Sequence, residues 1–214
     1  MIAKQSISKT TVAIFLIWLF HISAIIGISM GNHDWFVGKT PINLLLCLAL
    51  FIWVFPIDSF RKWIAFVLFF SGGMLAEWLG VNFGLLFGDY VYGENLGPKL
   101  DGVPYLIGVN WALLTFVTAR IVGGLSDRPW AKILLSAMLM VMLDYLMEHS
   151  APDFDFWTFE GGMATAENYI SWFAIALIFQ WILHRFGIKG NQKFSLHFYL
   201  SQFVFFGYFY FYLG

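Results

Sequence analysis

Seven apolar runs, near residues 10–31, 40–57, 63–88, 103–123, 130–149, 167–187 and 194–213, occupy most of the sequence. Each is close to the roughly 17 to 25 residues that a helix needs to cross a hydrocarbon core about 30 Å thick. Lipid offers no partner to a bare N–H or C=O, so such runs must be helices. The expected fold is all-α: a polytopic membrane helical bundle of about seven transmembrane helices. Residues 1–214 read as a single integral membrane domain, because no repeat, low-complexity tract or linker divides them. The second run is short and bounded by Pro41 and Pro56, and the last is so rich in Phe and Tyr that part of it suits the membrane interface. Lys4 and Lys9 precede the first run as in a signal peptide. That run is longer than an ordinary signal h-region and has no small-residue cleavage site, so it reads as the first helix.

Composition excludes the alternatives. With 60% hydrophobic residues, 12% charged and a mean hydropathy of +0.75, the chain could not cover its apolar surface in water. A net charge of −1 excludes nucleic acid as a partner, since phosphate neutralisation needs a basic face. Cys47 is the only cysteine, lies within an apolar run and reads as a small hydrophobe.

Loop charges orient the bundle. With the N-terminus inside, Lys4, Lys9, Arg61, Lys62, Arg120, Arg128, Lys132, Arg185, Lys189 and Lys193 lie on the cytoplasmic side, and only Lys39 and Lys99 lie outside. Lys and Arg are retained in cytoplasmic loops, so this bias predicts a bacterial-type inner-membrane protein with a cytoplasmic N-terminus and an outside C-terminus. Loops 89–102 and 150–166 would face the exterior.

Three acids lie within the apolar runs: Glu77, Asp144 and Glu148. Counting from Trp63 at about 1.5 Å per residue puts Glu77 roughly 20 Å up the third span, in the outer half of the bilayer. Asp144 falls at nearly the same height on the fifth span and Glu148 one turn further out. Asn110, roughly 10 Å below the outer surface on the fourth span, shares that level, and Asn168 enters nearby on the sixth. Gly73, Glu77, Gly80, Gly84 and Gly88 fall at spacings of three and four. The carboxylate therefore shares a stripe with a small-residue ladder of the kind that lets helices approach closely, and it should point into the bundle. Ser136, Met140, Asp144 and Glu148 form a second stripe. A single Asn in a membrane helix is as readily interhelical glue as a ligand group. Two carboxylates at one depth without a Lys or Arg beside them are not a structural ion pair, and intramembrane ionisable residues mark function by default.

His21, midway along the first span, could join the site but reads first as hydrogen-bonded to a neighbour. Asn32, His33 and Asp34 match no strong metal motif, and no metal is expected. Most aromatics are belt and core; Trp111 and Trp172 adjoin polar candidates and could line a ligand slot.

The stretch from Glu77 to Trp111 carries a Glu followed by Gly80, Gly84 and Gly88, then Tyr90 and Tyr92, Leu96-Gly97-Pro98, Val103-Pro104 and a closing Trp. It resembles the membrane-integral carotenoid biosynthesis proteins that include the carotenoid 1,2-hydratases. A second block from Asp144 to Trp172, with Glu148, Trp157, Phe159 and Asn168, is similar to the family's later region. It has His149 where that pattern has Pro and Phe159 where it has a second Trp. The resemblance implies addition of water to the terminal isoprenoid double bond of an acyclic or monocyclic carotene, of lycopene or γ-carotene type, giving a tertiary alcohol. Protonating such an alkene needs a neutral acid in an apolar pocket, a group that positions water, and aromatic faces toward the cation. Asp144 is then the expected proton donor, Glu77 the group that orients or deprotonates water, and Asn110, Asn168 and Glu148 their supports. Trp111, Trp172, Tyr90, Tyr92, Trp157 and His21 are the expected substrate contacts. The partners implied are a carotenoid substrate and membrane lipid, and no cofactor is required. A lycopene-type cyclase, in which a second double bond captures the cation, is the nearest rival. A non-enzymatic transporter or lipid-binding protein, in which the acids would carry protons or bind a cation, is the rival from another class; an inverted repeat or paired broken helices would favour it, and the sequence shows neither.

Overall fold

The computed structural model describes residues 7–55, 57–125 and 127–213. Lys4 and Pro56, used above for orientation and for bounding the second span, lie outside the described residues. The helices are α1 (Lys9–Ser29), α2 (His33–Val37), α3 (Thr40–Val54), α4 (Phe60–Phe83), α5 (Tyr105–Val122), α6 (Pro129–Ser150), α7 (Ala166–Phe186) and α8 (Gln192–Tyr212), a long helix for each of the seven apolar runs. Their ends follow ordinary chemistry. The Ser8 and Ser59 hydroxyls accept the N–H groups of Thr11 and Lys62 as N-caps, and Pro129 opens α6 where its missing N–H costs nothing.

Six segments, with α2 and α3 counted together as His33–Val54, are long and apolar enough to cross a membrane. This is the fold of a polytopic integral membrane protein. The seventh expected span, α8, is as long as α1 but is diluted by Lys193, His197, Gln202 and its tyrosines. It nevertheless lies parallel to α1 along its length: Thr10 pairs with Asn191, Trp18 with His197 and Ser29 with Tyr208.

The axis of the bundle is α5. Of its most apolar stretch 83% is buried, against 28 to 33% for the other spans, so α5 sees protein where they see lipid. Helices α3, α4, α6, α7 and α8 all pack against it.

Helix α4 stops five residues short of the expected end. Gly84 closes it in the left-handed region at φ +63°, where a side chain would be strained. Gly84 and Gly88 are therefore loop residues, and the five-residue ladder shrinks to Gly73, Glu77 and Gly80.

The two loops beyond α4 and α6 are not irregular. Strand β1 (Tyr90–Tyr92) pairs antiparallel with β4 (Trp157–Phe159), in register Tyr90 to Phe159 and Tyr92 to Trp157, while β2 (Lys99–Leu100) and β3 (Val103–Pro104) form a small hairpin. Alternation along β1 and β4 buries Tyr90, Tyr92, Trp157 and Phe159 and leaves Val91 and Thr158 outside. Asn95 and Glu94 tie the same loops together through Phe154 and Asp155. The ribbon thus caps one end of the bundle with aromatic rings directed inward.

Candidate active site

Beneath this ribbon, Glu77 on α4 is flanked on its own face by Gly73 and Gly80. A Cβ on Gly73 would stand 2.6 Å from the ring of Trp111, and one on Gly80 would stand 2.8 Å from that of Tyr90. The glycines make room for two aromatic rings rather than for a neighbouring helix backbone. Those rings serve the carboxyl between them. Trp111 Nε1 donates to Glu77 Oε1 at 2.8 Å, while the Tyr90 and Tyr92 hydroxyls donate to Oε2 at 2.5 and 2.7 Å. Both tyrosines sit in the ribbon, where burial first, and then the neighbouring Glu77, push their phenols far above the ordinary range and keep them as O–H donors.

Glu148 has its own clamp. Trp157 Nε1 donates to Oε2 at 2.7 Å and Asn168 Nδ2 to Oε1 at 3.1 Å. One turn earlier on α6, Asp144 is buried and its Oδ2 has no hydrogen-bond partner among the described residues. The three acids interact electrostatically with one another. A carboxyl oxygen buried without a donor is poorly suited to carrying charge and well suited to carrying a proton.

The three acids line a cleft of about 20 Å³, together with Asn110, Asn168, Tyr90, Tyr92, Trp157 and Trp172. Nine of the eleven expected site residues therefore meet at one place. Trp111 stands behind it, stacked on Trp172 with centroids 3.6 Å apart and planes 12° apart, and reaches Glu77 from the rear instead of lining a slot. His21 lies apart, with Nδ1 bonded to the Ile17 carbonyl at 2.8 Å and its ring edge-on to Phe205.

His21 lines a second, larger space. An apolar cavity of about 510 Å³, bounded by α1, α2, α3, α5 and α8, shares Ile107, Asn110, Met147 and Trp157 with the cleft. The small cleft admits water but not an isoprenoid chain, and the large cavity has room for a substantial length of chain. Among the described residues no group of three or more His, Cys, Asp or Glu side chains could hold a metal ion. His33 and Asp34 contact each other at 3.0 Å at the protein surface.

Two of these acids are clamped by donors, the third has an unpartnered oxygen among the described residues, and all three adjoin an apolar cavity; the family model for carotenoid biosynthesis proteins matches residues 38–214. The chain belongs to the carotenoid biosynthesis protein family. That match spans every expected site residue except His21. No curated protein and no solved structure matches the chain. Within the carotenoid biosynthesis family, then, the site's chemistry has to be read from its own geometry.

Phe87, Ile107, Met147 and Phe159 also line the cleft and were not expected there. Period-two alternation in Tyr90-Val91-Tyr92 and Trp157-Thr158-Phe159 was the available signal for a ribbon with one buried face. Nothing comparable marks Ile107 or Met147, which look like any other apolar helix residue.

Proposed function

We propose that this carotenoid biosynthesis protein is a hydratase, adding water across the terminal isoprenoid double bond of an acyclic or monocyclic carotene. The carrying observation is the division of labour among the acids: every oxygen of Glu77 and Glu148 accepts a hydrogen bond, whereas Asp144 Oδ2 accepts none among the described residues. In this reading the chain lies in the 510 Å³ cavity with its terminal double bond at the Asn110 junction. The Asp144 carboxyl transfers its proton to the less substituted alkene carbon, leaving a tertiary cation and the Asp144 carboxylate. A water held in the cleft forms the new C–O bond and gives its extra proton to Glu77, from which it returns to Asp144. Trp172 and the Glu77 charge stabilise the cation. Asn168, bonded to Glu148 and close to Asp144, fixes the geometry.

We further infer that the ribbon end faces the exterior and the opposite end the cytoplasm. Lys62 pairs with Asp58, and Arg120 holds the Gly190 carbonyl, both away from the ribbon, where the basic residues gather. Co-expression with an acyclic carotene pathway tests the reading. A tertiary alcohol supports it; a ring without added oxygen would make the protein a cyclase, in which a second double bond replaces water at the same cation.

A further inference from the structure

The wall of the apolar 510 Å³ cavity carries amides that a hydrocarbon cannot satisfy. Asn110 and Gln202 are 7% and 5% exposed, line the cavity, and make no side-chain hydrogen bond among the described residues. Asn43 Oδ1 is fully buried with no partner among the described residues. His21 spends Nδ1–H on the Ile17 carbonyl, which leaves Nε2 as an acceptor. Unspent amides inside a membrane bundle are unfavourable, and a polyene cannot satisfy them. Water can, and the space is wide enough to hold it.

The polar groups also lie in order. Lys39 and Thr40 stand at the ribbon end of α3, Asn43 follows one turn deeper on the same face, and Asn110, five residues into α5 from that end, stands where cavity meets cleft. Gln202 lines the cavity from deeper on α8, below the level at which Tyr210 meets Tyr145.

We propose that this cavity is the water route to the acids, with Asn43 and Asn110 holding successive waters between the ribbon-end surface and the cleft and Gln202 holding water at the cavity's inner end. The inference rests on the hydratase reading, since only hydration consumes water at this depth. It makes Asn43 and Gln202 positioning residues that govern the fate of the cation rather than its formation.

The test is a product ratio measured in D2O. Asp144 then delivers a deuteron. The cation either captures heavy water, giving alcohol, or loses a proton from the adjacent carbon to Glu77, giving an alkene that retains deuterium. The Asn43→Leu/Gln202→Leu variant is expected to raise the ratio of deuterated alkene to alcohol by about tenfold, the effect of one hydrogen bond to water, with total deuterium uptake kept. The Asn43→Ser variant, which puts a hydroxyl in place of the amide and so still binds water, is expected to stay near the wild-type ratio. The ratio is independent of how much protein folds, and the single variants Asn43→Leu and Gln202→Leu serve if the double variant does not accumulate. An unchanged ratio overturns the water route while leaving hydration intact. Loss of deuterium uptake together with alcohol, in protein that melts like wild type, also overturns it by assigning the wall to substrate binding. If wild type itself forms no alcohol, the hydratase reading fails, and the route with it.

Discussion

The indole nitrogen of Trp111 donates to Glu77 Oε1 at 2.8 Å through the space left by Gly73. The same indole is stacked on Trp172, so one side chain links α4, α5 and α7 at the site. Trp111→Phe keeps a ring over Gly73 but removes the donor. It is expected to lower kcat/KM for hydration by roughly ten- to a hundredfold, the range for losing a hydrogen bond to a charged group, while the protein still folds. Turnover in membranes against expression level measures it.

Gly73→Ala should be worse than its size suggests. Its Cβ would stand 2.6 Å from the Trp111 ring, so the indole must leave either Glu77 or Trp172. A lowered melting temperature in detergent and a loss of activity at least as large as that of Trp111→Phe are expected. Gly84→Leu should also destabilise, through left-handed backbone strain at the end of α4 and collision with Asp89.

Much of this was legible in the sequence, for identifiable reasons. Helix period and helical rise carried Glu77, Asp144 and Asn110 to one level and Glu148 one turn further out, because a membrane forces each apolar run into a straight helix of known pitch. The spacing rule failed where the helix ended. Gly84 and Gly88 continue the period of Gly73 and Gly80, yet Gly84 stops α4, and no count of spacings distinguishes a glycine that packs from one that caps. The ribbon was missed because its partners, residues 90–92 and 157–159, are far apart in the chain and each is only three residues long. Trp111 was expected at the ligand and stands behind the acid. Sequence gives the depth of a side chain but not which of two neighbours its N–H faces.

Topology follows from the ribbon. Val91 is 65% exposed on the outer face of β1, and the native Cys47 is buried, so Val91→Cys should be the reactive thiol. A membrane-impermeant maleimide is expected to label it from the exterior in intact cells. Labelling only after the cytoplasmic side is opened would invert the proposed orientation.

The ribbon should also govern catalysis, since it delivers two of the three donors to Glu77. Tyr92→Phe removes a hydroxyl bonded at 2.7 Å without changing the β1–β4 pairing. A fall in kcat of about tenfold with little change in KM is expected, because the lost bond supports the acid and not the chain in the cavity.

The roles assigned to Asp144 and Glu77 are tested most directly by following oxygen from isotopically heavy water into product, in wild type, Asp144→Asn and Glu77→Gln. Both substitutions keep size but remove the transferable proton. Wild type is expected to form a tertiary alcohol carrying the heavy oxygen, and each amide variant to form it roughly a hundredfold more slowly or worse while melting as wild type does. Asp144→Asn should in addition block deuterium uptake from D2O. Full incorporation of heavy oxygen by both variants would remove these carboxyls from the chemistry.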